Sequence, residues 1–465
     1  AETNRVITHI NRKMNITFDK KDEVSAVLTL TIERADYAAD VEKELKNIRK
    51  KVNMPGFRPG QVPMSIVKKR FSGEATAEAV NKLIGGKMYD YIRENKIKIL
   101  GEPMPSEEQE SVDFEKQDQF SVSFDLALAP EIKLELSADD KIDYYTIDVT
   151  DELVQRQVDM YAQRAGKYDD VDSYQDNDMV RGILAQLDEN NNTVEGGIQV
   201  ENAVILPKYV KNDEEKAKFA DSKVNDVLVI NPFKAYDGNE TELASLLKIE
   251  KEAVAALKDT NFSYQITNIT RFTPATVDQA LFDQALGEGA VSSEEEFRAK
   301  LKEQMQQQFV ADSDYKFIVD ARKYIEEKVG ALQYSESILK RFIKARNQGK
   351  DEAELEKGYD EGIKQLSWQL IKEELCKQYE IKVNEDDVKN TAKEATRMQF
   401  AQYGMTNAPE DMIEKYAQEM LKKEGTVDNL VDRCIEDKLG KAIQAAVTLV
   451  GKTVSIEDFN KMFAA

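Results

Sequence analysis

Residues 45–73 read LKNIRKKVNMPGFRPGQVPMSIVKKRFSG. These 29 residues hold eight basic side chains (Lys46, Arg49, Lys50, Lys51, Arg58, Lys68, Lys69 and Arg70) and no Asp or Glu. The full chain of 465 residues has 65 Lys plus Arg against 87 Asp plus Glu, a formal charge of −22. The window is therefore +8 and the remainder about −30. Three of the ten prolines, Pro55, Pro59 and Pro63, bracket Gly56-Phe57-Arg58 and Gly60. Such a composition specifies a stiff, protruding loop with an aromatic and a guanidinium side by side at its tip. A cationic patch meeting a polyanion releases counterions, and a guanidinium can hold phosphate or carboxylate through two hydrogen bonds. The plainer alternative is a solvated basic helix face with Phe57 tucked into its own core. The lack of any acid in the window and the Gly/Pro bracket favour the binding reading.

Upstream, Ala26, Leu28, Leu30 and Ile32 alternate with more polar neighbours, which is strand behaviour. Tyr37, Val41, Leu45, Ile48 and Val52 then recur at three and four, predicting an amphipathic helix that Asp36 would cap. Downstream, Pro63 suits the first position of a short helix reaching Phe71. A second helix is predicted from 74 to 96, stopped by Pro103 and Pro105. Phe120, Val122, Phe124, Leu126 and Leu128 give the clearest strand in the chain, ended by Pro130. The expected organisation is an α+β domain over 14–115, followed by this strand and an extended connector over 116–150.

The middle region differs in texture. A helix is predicted from 151 to 165, then short strands at 179–187, 203–206, 227–230 and 262–269, separated by Asn/Gly/Asp turns. A helical insertion, 240–257, precedes the last strand. This describes a small β-rich domain over 151–272. From Thr276 the pattern is helical almost without relief. Ser293 with Glu296 forms a capping-box signature before a helix reaching Lys328, and Asn384/Asp387 and Ser455/Asp458 are similar start signals. Heptads are not sustained, so an open multi-helix array is expected over 273–465. About three domains agrees with roughly 150 residues per domain.

Composition excludes several chemistries. One His (His9) and two Cys (Cys376, Cys434) leave no basis for a His-centred triad or a Cys/His zinc site. Two thiols in so long a chain form no disulfide framework and read as a reducing cytoplasm, with both buried and inert. No GxxxxGK[ST] loop supports ATP-driven cycling. Gly85-Gly86 and Gly196-Gly197 read as turns or close packing, and Asp386-Asp387 as a solvated helix start. Neither cofactor nor metal is expected. Residues 1–13 lack the apolar stretch of a secretory signal and read as an extension before the fold. The most apolar late stretch, 442–450, is far short of the ~20 residues that span a bilayer.

Met54-Pro55-Gly56-Phe57-Arg58-Pro59-Gly60-Gln61-Val62-Pro63 resembles the ribosome-binding signature of the trigger factor family, Gly-Phe-Arg-x-Gly-x-x-Pro at the tip of a helix–loop–helix. The flanking Ile66-Val67-Lys68-Lys69-Arg70-Phe71 fits as well, and the resemblance runs from Met14 to the end, including the tail 427–463. It implies an α+β multidomain chain: an N-terminal ribosome-binding domain, a small β-rich FKBP-like domain and an extended all-α C-terminal chaperone domain with arms. It implies ribosome-binding roles for Gly56, Phe57, Arg58, Gly60 and Pro63, with Lys68, Lys69 and Arg70 beside them. The implied partners are the ribosome, protein and rRNA near the exit tunnel, and nascent or unfolded polypeptides. It also allows a homodimer off the ribosome and gives no membrane role. Many family members place Lys where Pro59 and Gln61 stand here, so this motif carries two fewer charges.

An FKBP-like domain would catalyse prolyl isomerisation, whose barrier lies near ~20 kcal/mol. A dry aromatic pocket favours the twisted amide over the planar one. Aligning 178–180 on the family's strand start puts Ile183 and Leu184 where the family carries an Asp-Phe pair. Phe233 and Tyr236 remain as aromatics, and the charged, helical-looking run 211–223 stands in place of the pocket floor. The expectation is a degenerate pocket with no catalytic residue. The competing readings are an active isomerase with chaperone arms, or a ribosome-independent acidic helical chaperone or scaffold. Met305, Met398, Met405, Met412, Met420 and Met462, with Phe309, Tyr315, Phe342, Tyr359, Trp368, Phe400, Tyr403 and Phe463, punctuate the C-terminal helices. Such residues are usually core, but helices without a heptad cannot bury every stripe, and Met adapts to many partners. Interspersed acids favour cationic unfolded segments. Weak, multivalent capture of unfolded chains is the resulting expectation.

Overall fold

The structure, a computed structural model, describes residues 14–114, 116–405 and 407–464. The expectations for His9 and for residues 1–13 lie outside these described residues. The chain starts with β1 (Asn15–Lys20), β2 (Ser25–Glu33), α1 (Arg34–Lys51), α2 (Met64–Glu94), β3 (Ile99–Pro105) and β4 (Gln119–Leu128). The strands form an antiparallel sheet in the order β1-β2-β4-β3. Leu28 faces Phe124, Leu30 faces Val122 and Ile32 faces Phe120 across the ladder. This apolar face packs on Tyr37 of α1 and on Val80, Ile84, Met88 and Ile92 of α2.

Two local expectations are corrected. Helix α1 begins two residues before Asp36, which instead sits at the third helical position; its carboxylate accepts the Glu33 N–H at 2.7 Å in a capping box. The two helices expected on either side of Gly73 are one helix of 31 residues, about 46 Å long. Its buried stripe, Val67, Ala75, Ala79, Val80, Ile84, Met88 and Ile92, continues through the glycine, so packing outweighs the local propensity. Gly85 and Gly86 also lie inside α2 with nothing within 4 Å of where a Cβ would stand; they make neither a turn nor a close approach.

The remaining elements follow in order: β5 (Lys141–Ile147), α3 (Asp151–Arg164), β6 (Lys167–Val171), β7 (Met179–Gln186), β8 (Gln199–Ile205), α4 (Asp213–Ala217), β9 (Val227–Ile230), α5 (Pro232–Ala235), α6 (Glu240–Leu247) and β10 (Phe262–Thr273). Then come α7 (Gln279–Leu286), α8 (Glu294–Val329), α9 (Glu336–Arg346), α10 (Glu352–Gln378), α11 (Glu385–Gln402), α12 (Glu410–Leu421), α13 (Thr426–Ala446), β11 (Thr448–Val454) and α14 (Ile456–Lys461). Asn384 and Asp387 make the expected reciprocal cap. Glu296 takes its N–H bond to Ser293 Oγ at 3.1 Å, but its carboxylate accepts from the N–H of Ser292, one residue earlier than expected. The helical run is relieved once, by β11, which pairs with β5.

The chain folds into two compact units built from separated segments. The first takes residues up to 143, 317–383 and 435–450; the second takes 144–316, 384–434 and the residues from 451. In the first, Ile338 and Leu339 of α9 and Tyr359 and Leu370 of α10 pack on Leu100 and Ala127 at the β3–β4 side of the sheet. Arg341 reinforces that contact, donating to Asp125 Oδ2 at 2.7 Å. Asp140, buried, ties the first unit's segments together: its carboxylate accepts from Ser137 N–H at 2.8 Å, Tyr324 Oη at 2.7 Å and Lys328 Nζ at 2.7 Å. Its carbonyl accepts the Thr448 N–H at 2.8 Å.

Burial alone would raise the Asp140 pKa, but the bonds from Lys328, Ser137 and Tyr324 outweigh it and hold the carboxyl below its usual value. A carboxylate with a lowered native pKa contributes stability that is complete above the unfolded value of about 3.9 and fades as pH falls through the native one. The stability gap between the wild type and Asp140→Asn, read by urea unfolding, is therefore expected to be larger at pH 6 than at pH 3. Equal gaps would remove the ionised clasp from the account.

In the second unit the sheet runs β6-β10-β7-β8, with β9 also beside β10. Its core joins Val180, Leu184, Ile205, Phe219, Ile230, Phe262, Tyr264 and Ile266. The Tyr264 hydroxyl reaches the carbonyls of Ala203 at 2.8 Å and Val180 at 3.1 Å, satisfying the one polar atom it carries into that core. Separate clusters join α3, α7 and the start of α8 around Phe282 and Phe297, and α11, α12 and α13 around Ala392, Ala417 and Leu430. Of the two thiols, Cys434 is buried as expected, whereas Cys376 is only half-buried; burial still pushes the Cys376 thiol up, away from reactivity.

Candidate functional site: a basic loop between two helices

The loop 52–63 joins α1 to α2 and is carried by a small core of its own. Met54 and Val62, at its two ends, are buried with Leu45 of α1 and Val67 and Ala75 of α2. Between these anchors the chain makes two turns. The Phe57 N–H donates to the Met54 carbonyl at 3.1 Å and the Gln61 N–H to the Arg58 carbonyl at 2.9 Å. Gly56 and Gly60 take φ of +89° and +80°, which side chains other than glycine rarely adopt. Pro63 then caps α2, and the Ile66 and Val67 N–H groups both donate to its carbonyl.

The result is an outward tip. Phe57 is 39% exposed and Arg58 is exposed beside it. Among the described residues no carboxylate pairs with Lys46, Lys50, Lys51, Arg58, Lys69 or Arg70. Arg70 lies 5.9 Å from the Phe71 ring centroid. Lys68, grouped with them from the sequence, differs: its Nζ bonds Glu42 Oε1 of α1 at 2.6 Å, with both side chains about half exposed. Arg49, one charge among several in the sequence run, donates from Nε to the Val62 carbonyl at 2.8 Å. Arg49, Lys50 and Lys51 also fill the last turn of α1, where positive charge suits the helix dipole.

Of the four residues expected to mark an isomerase pocket, Leu184 and Tyr236 meet at one core, Phe233 borders it through Leu247 and Phe262, and Ile183 faces away. Ile183 and Leu184 are successive residues of β7 and point to opposite faces; Leu184 is in the core and Ile183 is half-buried. Tyr236 packs against the core that holds Leu184, and burial, with a smaller push from Glu242, takes its hydroxyl up to about 12. Phe233 lines an apolar crevice at the edge of that core, with Pro232, Leu243, Leu247, Val254, Leu257 and Phe262, too narrow to admit a water molecule. The run 211–223 is helical only over α4. It contributes Phe219, fully buried and 6.1 Å edge-on to Tyr264, an aromatic hidden from sequence reading by its charged neighbours. The insertion 240–257 forms α6 followed by two short 3-10 turns.

The Met and aromatic residues of the C-terminal helices divide. Tyr359 is core; Met305 and Phe309 pack on the α3–α7–α8 cluster, Met420 on the α11–α13 cluster, and Trp368 under Arg322 at 5.0 Å. Phe342 lies against Gly101, and Phe400 meets Tyr416 edge-on at 5.1 Å. Met412 and Met462 are half-buried. Tyr315, Met398, Tyr403, Met405 and Phe463 are exposed, Tyr403 by 78%. Among the described residues no cluster of acids, Cys or His has a metal-binding arrangement, and no helix is long and apolar enough to cross a membrane.

Comparison with known proteins agrees along the chain. The profile described as "Bacterial trigger factor protein (TF)" matches residues 14–161, "Probable trigger factor, FKBP-like domain" matches 168–274, and "Probable trigger factor, C-terminal domain" matches 313–463. The trigger factor of Delftia acidovorans is 29% identical over 159 residues, 33% of this chain and 36% of that protein. That of Hydrogenovibrio crunogenus is 31% identical over 146 residues, and there too the match spans only about a third of the relative, 32%. That of Prosthecochloris aestuarii is 23% identical over 464 residues, covering 96% of this chain and 100% of the relative. A solved structure described as "Promiscuous Substrate Recognition in Folding and Assembly Activities of the Trigger Factor Chaperone" superposes with a TM-score of 0.53 at 15% identity, over 92% of this chain and 99% of that one, a likeness of fold.

Proposed function

The chain belongs to the trigger factor family, and from that premise we propose that it is an ATP-independent chaperone that docks on the ribosome near the exit tunnel and shields nascent or unfolded polypeptides. The observation that carries the docking half is the exposed Phe57–Arg58 tip, whose guanidinium has no carboxylate partner among the described residues, on a chain that is otherwise strongly acidic. The aromatic supplies area to bury and the guanidinium a bidentate contact, the combination that concentrates binding energy in few residues. Apolar side chains left in solvent on α8, α11 and α12, such as Tyr315, Met398 and Tyr416, support the capture half. Flexible Met and amphipathic Tyr suit weak binding to many sequences.

Two measurements test this reading. Full-length protein is expected to pellet with ribosomes and, without ATP, to delay aggregation of a chemically denatured client at stoichiometric ratio. Failure to pellet removes docking; failure to delay aggregation removes capture. The middle region is proposed to be non-catalytic, because Ile183 faces away from the packed core that Leu184 and Tyr236 share and the crevice beside Phe233 is closed. Refolding of a proline-limited substrate is accordingly expected to proceed at the uncatalysed rate when the chain is added. An acceleration abolished by Tyr236→Ala or Phe233→Ala would establish the isomerase instead.

A further inference from the structure

We propose that this loop docks through the rigidity of two tandem Pro-Gly turns, with Arg49 as a positioning residue, rather than through the number of charges it presents; the proposal rests on the docking reading above. Met54-Pro55-Gly56-Phe57 and Arg58-Pro59-Gly60-Gln61 each place Pro second and a positive-φ Gly third, closed by the hydrogen bond between first carbonyl and fourth N–H. That is the signature of a type II turn, in which proline fixes φ in advance. Phe57 is the last corner of one turn and Arg58 the first corner of the next, so both side chains are aimed by the backbone itself. The ends of the double turn are pinned by burial of Met54 and Val62, and the Arg49 Nε bond to the Val62 carbonyl closes the frame at 2.8 Å.

Pro59 stands where the resemblance leads one to expect a lysine. The exchange removes a charge but completes the second turn, and a loop already held in its bound form loses less freedom on binding. The partner surface that suits such a tip is a preformed seat: an apolar recess for Phe57 beside a phosphate or carboxylate for Arg58.

The test is ribosome affinity of the full-length chain across a potassium chloride series. Pro59→Ala is expected to weaken docking about 2–5-fold at every salt concentration, leaving the slope of log affinity against log salt unchanged. Arg49→Met is expected to do the same, with a parallel line. A slope reduced by about one in Arg49→Met would make Arg49 a direct phosphate contact and overturn its positioning role. Pro59→Lys is expected to steepen the slope by about one without tightening docking at about 0.15 M salt; tightening there, or wild-type affinity in Pro59→Ala, would overturn the rigidity claim. Amide hydrogen exchange at Phe57 and Gln61 of the free chain reads the frame without the ribosome, and about fivefold faster exchange is expected in Arg49→Met and Pro59→Ala. Unchanged exchange overturns the frame. If the wild type fails to bind ribosomes while the exchange behaves as expected, the docking reading falls and the frame stands.

Discussion

Ribosome affinity in the Phe57→Ala/Arg58→Ala variant is expected to fall by a factor on the order of 10², about 3 kcal/mol shared between an aromatic and an arginine at the centre of a contact. Its salt dependence should become shallower by about one unit of slope, because one phosphate-capable charge is lost. The change is expected to leave the fold intact: Phe57 is exposed, Arg58 has no carboxylate partner among the described residues, and surface substitutions of that kind move stability by roughly 0.5 kcal/mol or less. Circular dichroism and the urea midpoint check this. Co-sedimentation that matches the wild type would leave the tip without a docking role.

Arg271→Ala is expected to lower the urea midpoint of the β-rich region of the second unit well beyond what an exposed surface substitution does. Asp178, at the start of β7's approach, is only 1% exposed. Arg271 of β10 meets it with a fork, Nε to Oδ1 at 2.9 Å and Nη2 to Oδ2 at 2.8 Å, and Nη2 also donates to the Ser173 carbonyl at 3.1 Å. The Gln175 N–H donates to the same carboxylate at 2.8 Å, tightening the turn that leads into the strand. Removing the arginine leaves a buried anion with one backbone donor, and burying an uncompensated charge is among the few single changes with so large a cost. Hydrogen exchange resolved by region should show the loss centred on β7 and β10, the two paired strands that the ion pair serves. A midpoint shift no larger than that of an exposed control substitution would place the pair with ordinary surface ion pairs.

Much of this architecture could be read from the chain. The alternation in β2 and β4 was unambiguous because one face of each strand is buried; the exposed loop followed from Gly and Pro at fixed offsets; and β9 coincides with the run 227–230. What escaped has physical causes. β3 holds Gly101, Pro103 and Pro105, which argue against a strand; an edge position and a register shift between Leu100 and Met104 make them tolerable. β6, KYDDV, is a charged edge strand with almost nothing buried. The two helices expected before Phe71 and after residue 74 are one, because the buried stripe of α2 runs on through Gly73. At the tip, residue types gave the outward Phe57 and Arg58, but the Lys68–Glu42 pair and the Arg49–Val62 bond depend on partners 26 and 13 residues away. Likewise alignment alone places Ile183 and Leu184 in one pocket, whereas strand geometry sends them to opposite faces.

The Asp140 clasp bears on how the protein is itself made. Vectorial synthesis delivers β1 to β4 first, and those strands can pair at once, but Tyr324 and Lys328 are translated some 180 residues after Asp140 and Thr448 more than 300 after it. The first unit is thus assembled cotranslationally only in part, its final closure waiting for the carboxyl-terminal end to emerge. Contacts so distant in sequence close slowly and leave partly folded species exposed in the meantime. A polypeptide proposed to guard others on their way out of the tunnel would, during its own birth, be among the chains with most need of a guard.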